Sequence, residues 1–253
     1  MYYTSKGKND LQHHYKALSY LKEELAFLPF DFTQEDCILS GSLIIKALFK
    51  PKASYKDIDF YFTSQEKKEQ IANLLAQAGY KVVADTKNAT TYDNNINKQV
   101  QLIKLYMNPQ TLVHIHDFSN VSTCFHKNTF YINVKTFTAW KKSKLSINNF
   151  PWQLIDRPEE FKAQFIILLG RIEKYCKRYN LTLDSTFLNN ILKLEKTSLP
   201  LNKLNKIEFS VTYEDYNGVS VTPLQGGILN KVIHILQTYY PHYQPNILYG
   251  FLK

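Results

Sequence analysis

The residues with the clearest capacity for chemistry are two aspartates that alternate with large apolar side chains in the run Asp57-Ile58-Asp59-Phe60. Successive side chains of a strand point to opposite faces, so Asp57 and Asp59 are predicted to share one face while Ile58 and Phe60 enter the core. Two neighbouring carboxylates repel each other unless a cation joins them, and hard oxygen ligands select Mg²⁺ or Mn²⁺. The sequence therefore predicts a magnesium or manganese site on this strand.

A turn of small residues precedes the predicted strand and is suited to binding an anion. Ser40, Gly41 and Ser42 follow an apolar pair and lead into an apolar run that is typical of a short helix. Backbone N–H groups at the start of a helix face an anion, so Gly41 and Ser42 are predicted to bind nucleotide phosphates. A pair of divalent ions beside such a turn can activate an attacking hydroxyl and neutralise leaving pyrophosphate.

The order of strand, small-residue turn, helix and Asp-x-Asp strand resembles the DNA polymerase beta-like nucleotidyltransferase superfamily. The pattern of that superfamily ends with a third carboxylate on a later strand, for which two stretches compete. Residues 100–105 have the stronger strand pattern but offer only the amide Gln101. Asp117 is an acid, and the residues around it are compatible with a short strand. We choose Asp117. The resemblance then implies that Asp57, Asp59 and Asp117 hold the divalent ions, and that Asp117 helps to deprotonate the acceptor.

Over about residues 36 to 180, the chain is also similar to nucleotidyltransferase-like proteins from phage and large-virus genomes. The chain departs from their pattern at two positions. His116 stands where a Phe is usual before the acid, and Asn120 stands where a His is expected. These departures concern activity more than fold.

A basic helix face is the second predicted contact with phosphates. Arg171, Lys174 and Arg178 are spaced by three or four residues in a helix predicted over residues 158–179, so they share a face. Cations in a last turn also favour the helix dipole. We expect this face to look toward the cleft and to contact the triphosphate or an RNA or DNA acceptor.

The coarse pattern of apolar residues predicts an α+β protein. We expect a nucleotidyltransferase-type mixed β-sheet with flanking helices in residues 1–132, followed by a mainly helical C-terminal domain in residues 133–253 that closes the cleft. Smaller elements are predicted as a helix over residues 11–28, a capping box from Thr63 before a helix to Ala78, a loop over 85–95, strands around Ile96 and over 100–105, a short helix from Asn108, a hairpin over 121–134, and strands over 206–213 and 219–222.

Composition restricts the class of protein. The 253 residues carry 31 Lys and Arg against 22 Asp and Glu, a net charge of +9, which makes a polyanionic partner such as nucleic acid plausible. No signal peptide and no apolar run long enough to span a bilayer occur, so we expect a cytoplasmic protein with no membrane partner. The resemblance to phage and viral proteins implies that it acts in a virus-infected cell. Cys37, Cys124 and Cys176 are scattered without metal-ligand spacing, and we expect them to be buried and reduced.

An aromatic cluster near the C-terminus allows two interpretations. Tyr239-Tyr240-Pro241-His242-Tyr243 could stack nucleic-acid bases, because aromatic faces bind single strands with little sequence preference. Large aromatic residues also dominate protein cores. We expect terminal core packing.

Three functions are compatible with these residues. The first is a metal-dependent nucleotidyltransferase that moves a nucleoside monophosphate from a nucleoside triphosphate (NTP) to a hydroxyl of a nucleic-acid end or a protein. The second is a catalytically degenerate nucleotidyltransferase scaffold that binds nucleic acid or assists assembly of a viral replication or transcription complex. A toxin-like transferase that modifies tRNA or protein is the third.

Overall fold

The computed structural model describes residues 8–96, 98–208, 213–214, 220–221 and 227–244. The chain forms two compact units. The first comprises Met1–His116, Asn120–Thr138 and Tyr216–Gly218, and the second comprises Asp117–Ser119, Ala139–Asp215 and Val219–Lys253. The segment Asp117–Ser119 thus folds with the second unit, although its neighbours in sequence fold with the first.

Helices account for much of the described chain. They are α1 (Lys8–Glu24), α2 (Ser42–Leu48), α3 (Gln65–Gln77), α4 (Pro109–Ile115), α5 (Val134–Lys141), α6 (Pro158–Tyr179), α7 (Ser185–Leu194), α8 (Leu201–Lys206) and α9 (Gly227–Tyr239). None of the described helices is both long and apolar enough to cross a membrane.

The strands form one large sheet and two small ones. They are β1 (Cys37–Ser40), β2 (Asp57–Phe62), β3 (Lys81–Asp85), β4 (Ala89–Asp93), β5 (Gln99–Tyr106), β6 (Thr123–His126), β7 (Thr129–Ile132), β8 (Lys144–Leu145), β9 (Thr182–Leu183), β10 (Tyr213–Glu214) and β11 (Ser220–Val221). The first seven strands pair in the order β3-β4-β5-β2-β1-β6-β7. Strands β2 and β5 run parallel, whereas the other neighbours in this sheet run antiparallel. The predicted α+β class with a mixed sheet and a mainly helical C-terminal part is confirmed.

The two faces of β2 have different environments, as its alternating sequence predicts. Ile58, Phe60 and Phe62 are fully buried on one face. They belong to the main core of the first unit, together with apolar residues of α1 and α3 such as Leu21 and Leu75. Burying each such side chain contributes about 1.5–3 kcal/mol, which anchors the strand and leaves its other face to the two aspartates.

Local sequence explains where the best-defined helices begin and end. Helix α3 begins at Gln65, and the side chain of the preceding Ser64 accepts a hydrogen bond from Lys67 N at 3.4 Å, so Ser64 rather than Thr63 is the cap. Gly79 follows the helix with φ 85°, a conformation that favours glycine. Helix α6 begins at Pro158, which needs no N–H partner in the first turn, and ends before Asn180 in the left-handed conformation.

Several predicted elements differ from the structure. The region predicted as a loop contains β4, because Thr90 and Thr91 pair with β5 and are buried although the segment has little apolar character. Ile96 forms no strand and is 84% exposed. The short strand predicted from Asp117 is wrong, because Ser119–Val121 is a 3-10 helix. The hairpin is confirmed as β6 and β7.

The C-terminal strand predictions are tested only in part. Lys206 ends α8 rather than beginning a strand. Strands β10 and β11 pair with each other, and the rest of the segments predicted as strands around them lies outside the described residues. The three cysteines are buried and free, as expected.

Candidate functional site

The turn after β1 and the strand β2 are brought together by strand register. Ser40, the last residue of β1, pairs with Asp59 across the antiparallel ladder. The next residue, Gly41, has φ 84°, which disfavours any residue with a side chain. A Cβ atom at this glycine would overlap the Asp59 carboxylate. The backbone of the turn therefore lies directly against the carboxylate, and only glycine fits there.

The two aspartates of β2 lie on the face of the strand opposite the core, as predicted. Both are half-buried and alternate along the strand with the buried Ile58 and Phe60. Asp57 Oδ1 is buried, and no hydrogen-bond partner for this atom exists among the described residues. An unsatisfied buried acceptor is unfavourable by about 1–3 kcal/mol, and a cation or a donor from a ligand would satisfy it.

The strand beside β2 presents amides where further acids could stand. In the parallel register of β2 and β5, Asp57 pairs with Gln99 and Asp59 pairs with Gln101. Gln99 Nε2 donates to Asp93 Oδ2 of β4 at 3.0 Å. Gln101 is 9% exposed. The position on β5 that could complete a carboxylate cluster is therefore held by the neutral Gln101. This residue is the alternative to Asp117 that the sequence left open for the third ligand.

A histidine that sequence reasoning did not place in the site lies next to the turn. Ser40 Oγ donates to the carbonyl oxygen of Thr123 at 2.9 Å, and His116 Nε2 is 3.4 Å from the same Oγ. The Ser40 hydroxyl is thus fixed immediately before Gly41. The only sequence signal for this contact was the departure at His116 from the usual Phe.

A second missed feature is a cluster of cations and tyrosines on the approach to β2. Tyr55, two residues before the first aspartate, donates a hydrogen bond to Glu24 of α1. Lys46 Nζ of α2 lies 5.3 Å from the Tyr55 ring centre, and Lys98 Nζ lies 5.1 Å from it. Lys98 Nζ also donates to the Tyr55 carbonyl oxygen at 3.3 Å. The cluster fixes the chain entering β2.

The pKa values in this cluster follow from burial and charge. Burial, followed by the hydrogen bond to Glu24, raises the pKa of the Tyr55 hydroxyl far above its usual value. Burial on its own would raise the pKa of Glu24, but the hydrogen bond from Tyr55 and the charges of Lys46 and Lys98 hold it below its usual value. Glu24 therefore stays ionised between the two lysines.

Asp117 and Arg171, predicted to bind metal and phosphate, form an ion pair with each other in the second unit. Their side chains are 30% and 25% exposed. The Asp117 carbonyl oxygen also accepts hydrogen bonds from Asn148 N at 2.7 Å and Asn149 N at 3.1 Å. Asp117 lies outside the seven-stranded sheet. Its assignment as a third metal ligand stays a prediction, and a carboxylate so engaged is less available to a cation.

The other two residues of the basic face lie on α6, as predicted. Lys174 is exposed, with Nζ 6.0 Å from the Tyr175 ring centre, and Arg178 is half-buried in the last turn. That this face looks toward the cleft stays a prediction.

The donors on β2 fit a metal that arrives with a nucleotide better than an isolated ion. No group of three or more His, Cys, Asp or Glu side chains placed to hold a metal occurs within the described part of the chain. Mg²⁺ is commonly bound by one or two carboxylates plus substrate phosphates and waters. Asp57 and Asp59 match that donor set, and the orphaned Asp57 Oδ1 is free to accept it.

Solved structures similar to this chain are tRNA-processing enzymes. The CCA-adding enzyme of Thermotoga maritima in complex with tRNA is 11% identical with a TM-score of 0.48, covering 95% of this chain and 55% of that one. A tRNA nucleotidyltransferase with a primer tRNA and an ATP analogue is 13% identical with a TM-score of 0.48, covering 86% of this chain and 59% of that one. An apo tRNA-processing enzyme is 14% identical with a TM-score of 0.46, covering 79% of this chain and 51% of that one. The chain thus spans only about half the length of these proteins.

The sequence also matches a protein family. No curated protein sequence matches the chain. Residues 10–143, more than half of its length, match the Gabija anti-defense 2 (Gad2) family, and the matched segment includes the Gly41 turn, both aspartates of β2 and the amides of β5. The chain therefore belongs to the Gabija anti-defense 2 family.

Proposed function

We propose that this protein binds an NTP with Mg²⁺ or Mn²⁺ and transfers the nucleoside monophosphate to a hydroxyl acceptor. The observation that carries the proposal is the register of β1 and β2, which sets the backbone of Gly41 against the Asp59 carboxylate. A phosphate chain bound along this turn would meet the backbone and the aspartates together. Neither motif alone supports a metal-nucleotide site as well as their convergence does.

Each group has a separate role in the proposed reaction. Asp57 and Asp59 hold the divalent ion, which supplies charge neutralisation for the phosphates and activation of the attacking hydroxyl. The backbone of Gly41 and Ser42 contacts the phosphates. Because α2 has only seven residues, this contact rests on the close approach of the turn more than on a helix dipole. Lys46, one turn into α2, adds a positive charge on this side of the first unit.

The residues of the second unit that were predicted to contact phosphates or metal differ in how accessible they are for these roles. Lys174 is exposed, and we propose that it contacts a phosphate of the nucleotide or of an acceptor strand. Arg178 can act in the same way from the last turn of α6. Arg171 and Asp117 first have to separate from each other, so their roles as phosphate contact and third metal ligand require a rearrangement.

A catalytically degenerate scaffold is the second candidate function, and the register of β5 favours it. Gln101 stands beside Asp59, where a third carboxylate would complete a two-metal site. An amide carries no negative charge, so it holds a second divalent ion less strongly. In that case the protein binds a metal-nucleotide, or a nucleic acid, without transferring a nucleotide.

The biological role follows the family description. Membership of the Gabija anti-defense 2 family supports a role in countering a Gabija defence system inside an infected cell. We propose that nucleotide transfer, or nucleotide binding by the degenerate site, is the step that does so. The hydroxyl acceptor would then be an RNA or DNA end or a protein side chain that the defence depends on.

A transfer assay tests the first candidate. The protein is incubated with each α-labelled NTP, Mg²⁺ or Mn²⁺, and extracts that supply RNA, DNA and protein acceptors, and label incorporation and pyrophosphate release are measured. We expect both signals in the parent and neither in Asp57→Asn. Asp85→Asn is the matched control, because this strand aspartate pairs with Lys104 at the sheet edge at 2.8 Å, and it should behave like the parent.

The same proteins separate the two candidates. A parent that binds Mg²⁺-NTP in calorimetry but releases no pyrophosphate with any acceptor is a scaffold. Gln101→Asp should then tighten Mg²⁺-NTP binding by about tenfold or 1.4 kcal/mol, because it adds a carboxylate beside Asp59. Absence of both Mg²⁺-NTP binding and nucleic-acid binding in the parent contradicts both candidates.

A further inference from the structure

The C-terminal aromatic cluster is not part of a core. Helix α9 ends at Tyr239, and the residues that follow it line an open cavity of about 320 Å³ together with the start of β9. Tyr239, Tyr240 and Tyr243 are half-buried, whereas Pro241 and His242 are exposed. The expected terminal core packing is therefore wrong, and the tyrosines keep ring surface accessible at a cavity wall.

The cavity has the size and lining that suit a small planar ligand. Ligand pockets have volumes of about 300–1,000 Å³, so this cavity lies at the small end of that range. Every residue that lines it is uncharged, and the wall combines three phenol rings with the Gln237 amide and the hydroxyls of Thr182 and Thr238. Rings offer stacking surfaces, while an amide and hydroxyls can hydrogen-bond the edge of a heterocycle.

Three cations lie close to the cavity residue Thr182 in sequence or in strand register. Lys177 and Arg178 occupy the last turn of α6, a few residues before Thr182. Lys144 of β8 pairs directly with Thr182 of β9. A neutral aromatic cavity in chain segments that also carry cations suits a base that carries a phosphate.

The acidic group that acts electrostatically on the cavity wall does not oppose such a ligand. Glu173 of α6 acts electrostatically on Tyr239, whose pKa is raised by burial and then by this carboxylate. Lys231 Nζ lies 2.6 Å from Glu173 Oε2, and His234 Nε2 lies 3.5 Å from Glu173 Oε1. The carboxylate is therefore neutralised inside the second unit and repels a phosphate little.

We propose that this cavity is a nucleobase-binding site in which a base stacks on the tyrosines that follow α9. The base belongs either to a free mononucleotide or to a single-stranded nucleic acid. The site lies wholly within the second unit and does not depend on the chemistry of Asp57 and Asp59. It gives the protein a second contact with nucleotides, apart from the proposed metal-nucleotide site.

Stacking on a tyrosine is tested with two kinds of probe, mononucleotides and a single strand, and with three cavity variants and one control variant. The probes are AMP and UMP in calorimetry, and a fluorescein-labelled ten-nucleotide single strand in anisotropy titrations without divalent ions. Tyr240→Ala and Tyr243→Ala should each weaken binding by roughly 5- to 100-fold, the range reported for loss of one base stack. Tyr240→Phe keeps the ring and should bind like the parent. Tyr15→Ala, at a tyrosine of α1 that is 62% exposed, is the matched control and should change nothing.

A fourth cavity variant reports binding by a gain of signal, so the test does not depend on whether the alanine variants fold. Tyr240→Trp places an indole at the cavity, and its additional emission should be quenched by either probe in proportion to binding. Binding of both probes indicates a site for free nucleotides, whereas binding of the strand alone indicates an acceptor site. Unaltered affinity in both alanine variants, or emission that neither probe changes, overturns the proposal. Asp57→Asn should retain all of these signals, so failure of the proposed transferase activity would not remove this site.

Discussion

Asp57 in the first unit and Asp117 in the second are both half-buried aspartates, but their surroundings differ. Asp57 Oδ1 is buried and has no hydrogen-bond partner among the described residues, whereas the Asp117 carboxylate is paired with Arg171. A buried acceptor without a partner is unfavourable, while a half-buried ion pair is satisfied within its own unit. The difference supports the proposal that β2 presents its carboxylates to a ligand, and we expect the Asp117 carboxylate to stabilise the fold.

Exchanging each aspartate for alanine should give the largest contrast. Asp57→Ala, or Asp59→Ala, should abolish Mg²⁺-nucleotide binding with little loss of stability, because removing one of two like charges relieves repulsion. Asp117→Ala should instead leave binding intact and lower the free energy of unfolding by about 1 kcal/mol, since it removes the ion pair with Arg171. Calorimetric titration and urea unfolding of the variants measure both quantities.

The outcome of that exchange also decides the role of the third carboxylate. Loss of metal-nucleotide binding in Asp117→Ala would restore Asp117 as a metal ligand and would reverse the contrast. Unchanged affinity in Asp57→Ala or Asp59→Ala would remove the β2 site altogether.

The close contact between Gly41 of the turn and Asp59 of β2 should affect the free energy of unfolding of a Gly41 variant. Gly41→Ala is expected to lower the free energy of unfolding by about 2–4 kcal/mol, because it combines backbone strain at φ 84° with overlap of its Cβ and the Asp59 carboxylate. Gly79→Ala is the matched control. Its φ is 85°, but nothing lies within 4 Å of its added Cβ, so only about 1–2 kcal/mol of strain is expected. Equal losses in the two variants would show that the turn does not press on Asp59.

The basic face of α6 should have a smaller effect, confined to salt dependence. Changing Arg171, Lys174 and Arg178 to Gln should lower the slope of log affinity for single-stranded nucleic acid against log salt by about one unit or somewhat less for each lost phosphate contact. Sequence preference should hardly change. Anisotropy titrations across salt concentrations measure the slope.

A control of equal charge tests whether the face itself matters. Lys16, Lys22 and Lys87 are exposed in the first unit, and their triple change to Gln removes the same charge. Slopes that coincide in the two triple variants would mean that net charge, and not the α6 face, drives binding. A slope equal to that of the parent in the α6 variant would leave these residues only a role at the helix end.

The cluster around Tyr55 should give the smallest effect, which should appear as a change in how the stability of the fold depends on pH in the acidic range. The folded-state pKa of Glu24 lies below its ordinary value of 4.5, so its stabilising contribution is complete above about pH 4.5 and is lost as the pH falls through the folded pKa. Glu24→Gln should flatten the stability profile in that acidic window, while the control Glu66→Gln on α3 should not. Unfolding midpoints measured between pH 3 and 6 compare them, and parallel profiles would argue against this cluster.

The part of the site that follows from local sequence was predictable. The alternation in β2 specified which face the aspartates share, because Ile58 and Phe60 must be buried. The glycine of the turn was recognisable by its position between an apolar strand and a helix. What the sequence did not contain was how closely that glycine approaches Asp59, which depends on the pairing of β1 with β2.

The part that depends on long-range pairing could not be predicted. The sequence left Gln101 and Asp117 as alternatives for the third position, and only the parallel pairing of β2 with β5, which no local pattern encodes, places Gln101 beside Asp59. Asp117 and Arg171 are 54 residues apart in sequence, so their ion pair gave no sequence signal. Strand β4 was missed because its burial comes from pairing with β5 and not from apolar residues of its own.

The central claim is that Asp57 and Asp59 hold a metal-nucleotide against the Gly41 turn, and a crystal soaked with Mn²⁺ and a nonhydrolysable NTP tests it most directly. We expect an anomalous manganese peak within coordinating distance of both β2 carboxylates, with phosphate oxygens beside the backbone of Gly41. Manganese bound elsewhere, or a nucleotide bound without contact to either aspartate, would contradict it.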